Sequence, residues 1–141
     1  MTANPPLPAT IADVIRDQAA ERPDALALTF VAAAGGATSQ TFGELDERSS
    51  RAANALVAAG VGRGDRVALL AHNAPVFFEL AFAASKIGAA LVGLNWRLAR
   101  PEIEAILADA DPGLLIVDVE LGHLVSGGAG VMSAADWRLA V

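Results

Sequence analysis

The side chains of this 141-residue chain best placed to bind a ligand or take part in a reaction are His72 and Asn73. They follow an apolar run at positions 67–71. That run is bounded by turn residues and is typical of a strand buried on both faces. Open α/β sheets bind ligands at the carboxyl ends of their strands, so the His72 imidazole could contact a ligand. We favour the alternative, in which these residues cap the following helix and make loop hydrogen bonds, because no acid, nucleophile or second ligand lies nearby in sequence.

Arg97, Lys86 and His123 are the remaining candidates. Arg97 follows the next predicted strand and could pair with an anion, or it could hold its own loop through carbonyl or acidic groups. Lys86 lies in the last turn of a predicted helix, where the dipole favours a cation, and we favour a structural role. His123 stands alone, which argues against a metal cluster. The sequence predicts no catalytic, cofactor-binding or metal-binding residue in this chain.

Two glycine-rich segments resemble nucleotide-binding loops only superficially. Residues 60–64 (GVGRG) follow a helix and open a strand, whereas a dinucleotide-binding loop follows a strand and opens a helix. Residues 127–130 (GGAG) lack the Lys-Ser/Thr of a phosphate-binding loop. We therefore predict a helix-to-strand connection for the first segment and a flexible loop for the second.

The elements that must position these residues alternate between strand and helix in the middle of the chain. In order, the predicted elements are a strand at 67–71, a helix at 76–87 ended by Gly88, a strand at 90–94, a helix from Pro101 to Asp111 and a strand at 114–117 finished by Asp118. This β-α-β-α-β order predicts an α/β fold with a partial doubly wound, mainly parallel sheet flanked by helices.

The N-terminal third of the chain predicts a helix, a small β-hairpin and a second helix. Thr10 with Asp13 caps the first helix, whose apolar face is predicted to comprise Ile11, Val14, Ile15 and Ala19. Residues 25–31 and 38–42 form the hairpin, and Thr41 with Glu44 makes a full capping box for the second helix. We expect one incomplete domain over residues 1–141, with a flexible lead-in at 1–9 and a poorly specified tail at 119–141.

Composition narrows the class of partners. A net charge of −6 argues against nucleic acid or anionic membrane as the main partner. The chain has no cysteine, and its N-terminus lacks the basic and apolar regions of a secretory signal. The most apolar window contains Glu79, Lys86 and Gly88, which is unsuitable for a transmembrane segment. We expect a cytoplasmic protein.

Five segments, taken in order, resemble motifs of the adenylate-forming (AMP-binding) superfamily, which includes acyl-CoA synthetases, peptide-synthetase adenylation domains and luciferases. The segments are TFGEL at 41–45, GDRVA at 64–68, Asn73 with Phe78-Glu79, SKIGAALV at 85–92, and NWRL at 95–98. The last is similar to the Asn-x-Arg-Leu of the fatty-acyl-CoA ligase branch. Phe42 and Gly93 stand where the family usually has tyrosine and proline. The resemblance covers roughly Thr10 to Asp118 and implies the N-terminal portion of an acyl-CoA synthetase.

The resemblance implies that the complete enzyme activates a carboxylic acid with ATP and Mg to an acyl-adenylate and then transfers the acyl group to CoA. The phosphate loop, the adenine motif, the ribose-binding aspartate and the catalytic lysine of the family would all lie beyond Val141. We therefore expect this chain alone to bind none of these cofactors and to be inactive. Its implied partners are the remainder of the large domain and the C-terminal domain.

Two alternatives remain at this point. The chain could be a stand-alone interaction or regulatory module that kept the fold and lost the chemistry. It could also be a flavodoxin-like nucleotide binder, which ranks last because no loop at a strand's carboxyl end carries phosphate-binding residues. In the favoured interpretation, an interrupted parallel sheet exposes an edge and apolar faces, so we expect marginal stability or self-association.

Overall fold

The computed structural model describes residues 10–127, 130–133 and 137. The elements in chain order are α1 (Ile11–Glu21), β1 (Leu26–Val31), β2 (Ala37–Thr41), α2 (Phe42–Ala58), β3 (Arg66–Leu70), α3 (Val76–Ile87), β4 (Ala90–Leu94), α4 (Arg100–Ala110), β5 (Leu114–Val117), a 3₁₀ helix (Val119–Leu124) and β6 (Val131–Ser133). The predicted lead-in at 1–9 and residues 128–129 of the predicted glycine loop lie outside the described residues.

The main sheet has four parallel strands in the order β4-β3-β5-β6, and β1 and β2 form a separate antiparallel hairpin. The chain thus runs outward from β3 to β4 on one side and then crosses to β5 and β6 on the other. Reversal of direction at a central strand is the defining feature of a doubly wound sheet. The predicted fold class, including the small hairpin, is confirmed.

Strand β3 lies at the centre of the sheet and is buried on both faces, as its unbroken apolar sequence predicts. Val67 and Leu69 pack into a core with α2 and α3, whereas Ala68 and Leu70 pack into a second core with α4 and the 3₁₀ helix. All four side chains are 3% exposed or less. Because successive side chains of a strand point to opposite faces, a strand covered by helices on both sides must be apolar throughout.

Both ends of α2 are capped, the first by the predicted capping box. The Thr41 hydroxyl accepts from the Glu44 N–H at 3.2 Å, and the Glu44 carboxylate accepts from the Thr41 N–H at 2.8 Å. At the other end Gly60 has a φ of 88°, and the Val61 N–H donates to the Leu56 carbonyl at 3.0 Å. This is a Schellman motif, and the buried Val61 supplies its apolar contact.

Two sequence expectations need correction. The predicted apolar face of α1 is wrong in part, since Ile11 and Val14 are exposed while Ala12 and Ile15 are buried. Helix α1 lies at the surface and packs on α2 and α3. Only a narrow stripe of its side chains is therefore buried. Strand β6 was not predicted, because its three residues acquire strand character from pairing with β5 and not from their own pattern.

Among the residues that the structure describes, no helix combines the length and the hydropathy needed to cross a membrane.

Candidate functional site

A groove of about 520 Å³ opens at the carboxyl end of β3 and β5, between the hairpin and the start of α3. It is lined by Phe30, Thr38, Ser39, Gln40, Arg48, His72, Asn73, Ala74, Pro75, Val76, Glu79 and Asp118. After β3 the chain continues to β4 on one side of the sheet, and after β5 it continues to β6 on the other. The groove therefore lies at the point where doubly wound folds bind ligands. It is therefore the candidate functional site.

His72 and Asp118 face each other across the floor of the groove. The Asp118 Oδ2 accepts from the His72 N–H at 3.0 Å and lies 3.5 Å from the His72 Nδ1. The two residues follow β3 and β5, and their parallel pairing brings Leu70 beside Val117 and therefore sets these loops side by side. The contact ties the two loops together at the carboxyl ends of β3 and β5.

Trp96 connects His72 to the loop that follows β4. The His72 and Trp96 ring centroids are 4.7 Å apart with an interplanar angle of 50°, and the Arg97 guanidinium carbon lies 4.3 Å from the Trp96 ring. The Asn95 Oδ1 accepts from the Arg97 N–H at 3.0 Å. Arg97 thus contacts its own loop, as one of the two predicted alternatives requires, although it does so through an aromatic ring and not through an acid or a carbonyl.

The opposite wall of the groove carries a second polar cluster. The Gln40 Nε2 donates to the Glu79 Oε1 at 2.7 Å, and the Arg48 Nη1 lies 3.6 Å from the same oxygen. Gln40 is 8% exposed, and its Oε1 has no hydrogen-bond partner among the described residues. Glu79 fixes the orientation of this amide, because reversing it would set two oxygens against each other. The cluster attaches the hairpin and α2 to α3.

The predicted capping of α3 by His72 and Asn73 is wrong. Pro75 occupies the cap position, and no side chain bonds the first helical N–H groups. The Phe77 and Phe78 N–H groups instead donate to the backbone carbonyls of Ala74 and Pro75, at 3.1 Å and 3.0 Å. The tight turn that the proline imposes satisfies these donors, so the His72 and Asn73 side chains are not needed there.

The other candidate residues have structural contacts. The Lys86 Nζ bonds Asp46 and Ser50 of α2, so its role is structural, as predicted. The His123 Nδ1 lies 2.9 Å from the Glu120 carbonyl within the 3₁₀ helix. Within the described ranges, no group of three or more His, Cys, Asp or Glu residues could hold a metal ion.

The glycine segments also have structural roles where the structure describes them. Residues 60–64 connect α2 to β3, as predicted, and the Gly64 N–H donates to the Gly88 carbonyl at 2.9 Å. In the second segment, the Gly130 carbonyl accepts from the Leu115 N–H at 2.8 Å and so begins the pairing of β5 with β6.

The charged side chains of the groove are not suited to binding the phosphates of a nucleoside triphosphate. Glu79 and Asp118 are acceptors with negative charge, and Arg48 lies against Glu79 instead of facing an open anion site. Phosphate binding requires cations and N–H donors directed at one point. The contacts of Gln40 and Arg48 with Glu79, and of His72 with Asp118, join segments that are distant in sequence.

Sequence reasoning missed most of the groove residues. Asp118 had a detectable signal, because it ends a strand parallel to the one that precedes His72. Gln40 and Arg48 had none, and the motif containing Glu79 gave no sign of their contacts, since the three residues come from different elements and meet only through the tertiary fold.

Comparison with known proteins gives the family. A model of the family described as AMP-binding enzyme matches residues 15–136. A feruloyl-CoA synthase from Amycolatopsis sp. is 43% identical in an alignment 110 residues long, which covers 72% of this chain and 22% of that protein. A 3-hydroxybenzoate–CoA ligase from Aromatoleum sp. (strain CIB) is 41% identical over 99 residues, or 70% of this chain and 19% of that protein.

A solved structure described as the N-terminal domain of FACL13 from Mycobacterium tuberculosis superposes with a TM-score of 0.82 at 26% identity. The match covers 94% of this chain and 36% of that one. The chain thus spans about a fifth of the length of the curated relatives it matches and about a third of this solved domain.

Proposed function

The chain belongs to the AMP-binding enzyme family, and we propose that it forms the N-terminal part of an ATP-dependent acyl-CoA ligase. The observation that carries this proposal is the agreement between the family match and the named relatives, which are CoA-thioester-forming enzymes. The order of the five sequence motifs also supports it, because the last of them, NWRL at 95–98, is similar to the Asn-x-Arg-Leu of the fatty-acyl-CoA ligase branch.

In the complete enzyme, a carboxylic acid reacts with ATP in the presence of Mg to give an acyl-adenylate and pyrophosphate. The thiol of CoA then displaces AMP and forms the thioester. Both steps need cations and N–H donors around developing negative charge. The described groove has carboxylates in their place, so these steps belong to the remainder of the large domain and to the C-terminal domain. The acid is unassigned, since the substrates named for the relatives include both ferulate-type and hydroxybenzoate-type acids.

The role of this chain is to provide the first strands and helices of the large domain. The two-sided burial of β3 and the mutual pairing of His72 with Asp118 support a scaffold role. We assign residues 1–141 to one incomplete domain, with a lead-in at 1–9 and a tail at 119–141, and we assign no catalytic, cofactor-binding or metal-binding residue to it. The cytoplasm is the proposed location, and self-association of the isolated chain is expected through its exposed apolar surface.

Two experiments test this proposal. The reading frame downstream of residue 141 is expected to continue into a glycine-rich loop ending in Pro-Lys-Gly, and a native stop codon there would favour a stand-alone module. ATP–pyrophosphate exchange by the purified 141-residue chain is expected to equal that of a heat-inactivated control, for acids of both classes named above. Exchange above that control would show that the chain contains a reaction site and would overturn the scaffold assignment.

A further inference from the structure

Strand β4 forms an edge of the sheet that lacks the usual protection against further pairing. Among the described residues β4 pairs with β3 alone. The Ala90 N–H donates to the Asp65 carbonyl at 2.9 Å, so by alternation the backbone groups of Leu91 and Gly93 point away from β3. The strand sequence, ALVGL, has no charge and no proline, which are the residues that commonly block edge pairing.

An apolar groove of about 460 Å³ runs beside this edge, between the start of α1, the outer face of α3 and β4. It is lined by Thr10, Ile11, Phe77, Ala81, Ser85, Gly88, Ala89, Ala90 and Leu91, none of which is charged. Phe77 and Ile11 are large apolar side chains that remain 43% and 55% exposed. Such residues at the wall of an uncharged groove indicate a surface that another element covers.

Gly93 allows this groove to reach the strand edge. A Cβ at position 93 would lie 3.2 Å from the Phe77 Cε2, so the ring extends over β4 at this point. The edge therefore offers free backbone donors and acceptors directly beside an apolar wall. An extended segment that paired with Leu91 and Gly93 would also place alternate side chains against Phe77.

We propose that a β-strand from the remaining part of the AMP-binding domain pairs along β4 and buries Phe77 and Ile11. This inference rests on the proposed function. The source of the strand is inferred from the length of related domains. This chain covers 36% of a solved N-terminal domain of the family, so about two thirds of such a domain is available to supply the strand. Residues 1–9 of this chain fit less well, since Pro5, Pro6 and Pro8 have no N–H to donate to a ladder.

The test uses a chimera of the feruloyl-CoA synthase of Amycolatopsis sp., in which the matched 110-residue segment is replaced by its counterpart from this chain. Phe77→Lys is compared with the control Val57→Lys, which makes the same kind of change at a 55% exposed position of α2 outside the groove. In the chimera, Phe77→Lys is expected to lower the melting temperature by about 5 °C more than Val57→Lys. In the isolated chain the two variants should differ less in urea midpoint than they differ in melting temperature in the chimera, because the remaining part of the domain is absent there and Phe77 is already 43% exposed.

A difference between the variants that is equally large in the isolated chain would overturn the proposal, and so would no difference in the chimera. A dimeric chimera that Phe77→Lys converts to monomers without lowering its melting temperature would assign the surface to a second copy instead. A chimera that melts cooperatively but forms no feruloyl-CoA would count against the proposed function alone.

Hydrogen exchange on the isolated chain provides a second measurement that does not depend on the chimera. In dilute solution the Leu91 and Gly93 amides, which point away from β3, should exchange at least about tenfold faster than the Val92 amide, which points toward it. Equal protection of all three amides would mean that this edge is already covered, and would also overturn the proposal.

Discussion

The Lys86 Nζ lies 2.7 Å from the Asp46 Oδ1 and so connects α3 to α2 across 40 positions of sequence. The same ammonium donates to the Asp46 carbonyl at 2.8 Å and to the Ser50 Oγ at 2.7 Å, which uses all three of its donors. The Lys86 side chain is only 10% exposed. The single lysine of this chain is thus committed to packing two helices together.

Replacing this lysine should destabilise the fold more than breaking an exposed ion pair. Lys86→Met is expected to cost about 1–3 kcal/mol, because Asp46 loses its partner in a partly buried site. The control is Arg51→Met, which breaks the exposed 3.6 Å contact with Glu47 and should cost less than about 0.5 kcal/mol. Urea unfolding measures both, and equal midpoints for the two variants would contradict this assignment.

The capping box of α2 should contribute measurably to stability. Thr41→Ala removes the oxygen that accepts from the Glu44 N–H, and is expected to cost about 1 kcal/mol. Thr41→Ser keeps that oxygen and should recover most of the loss. If chemical denaturation gives Ser and Ala variants of the same stability, the hydroxyl is not the stabilising group.

Gly88 should tolerate substitution poorly because of its backbone and its neighbour. Its φ is 74°, and an added Cβ would lie 3.0 Å from the Arg63 Cγ. Gly88→Ala is therefore expected to cost about 1 kcal/mol or more. Gly113→Ala is the matched control, since nothing lies within 4 Å of a Cβ there. A thermal melt that ranks Gly113→Ala as the more destabilised variant would contradict this expectation.

Stability should decrease in acid partly through Glu104. The Arg100 and Ser126 side chains donate to its carboxylate and lower its pKa below the usual 4.5 in the folded state. A lowered folded-state pKa adds stability above the unfolded value, and this is lost as the pH falls through the folded value. Glu104→Gln should therefore lose less stability than the parent between pH 6 and about pH 3, when unfolding midpoints are followed across that range.

The control for Glu104→Gln is Asp109→Asn, which changes an exposed carboxyl of the same helix, α4. It measures how much the removal of one negative charge changes the pH dependence of stability in general. An acid profile for Glu104→Gln as steep as that of the parent would show that the Arg100 and Ser126 contacts do not influence folding.

Local signals in the sequence were sufficient for most elements. The Thr41 and Glu44 pair, the cap at Gly88 and the apolar run of β3 all act within a few residues, so the pattern predicts them correctly. Strand β6 was missed because its three residues need β5 beside them. The exposed Ile11 was assigned to the core because apolar periodicity shows which face of a helix is buried but not how wide the buried part of that face is.

The candidate site was harder to predict because its contacts join distant segments. His72 meets Asp118 only after β3 and β5 pair, and Gln40 meets Glu79 only after the hairpin packs on α3. The resemblance to the superfamily was more informative than any single residue, because it depends on the order of several segments. It correctly predicted the family that the matched relatives and the solved domain indicate.

The most direct test of the scaffold role is the rate at which the unsubstituted chimera forms feruloyl-CoA. This chain should replace the corresponding segment of the relative without supplying or removing a reacting group. We expect a rate within about tenfold of the parent enzyme, which is roughly 1.4 kcal/mol in activation free energy. A chimera that melts cooperatively but forms no thioester above a heat-inactivated control would contradict the account.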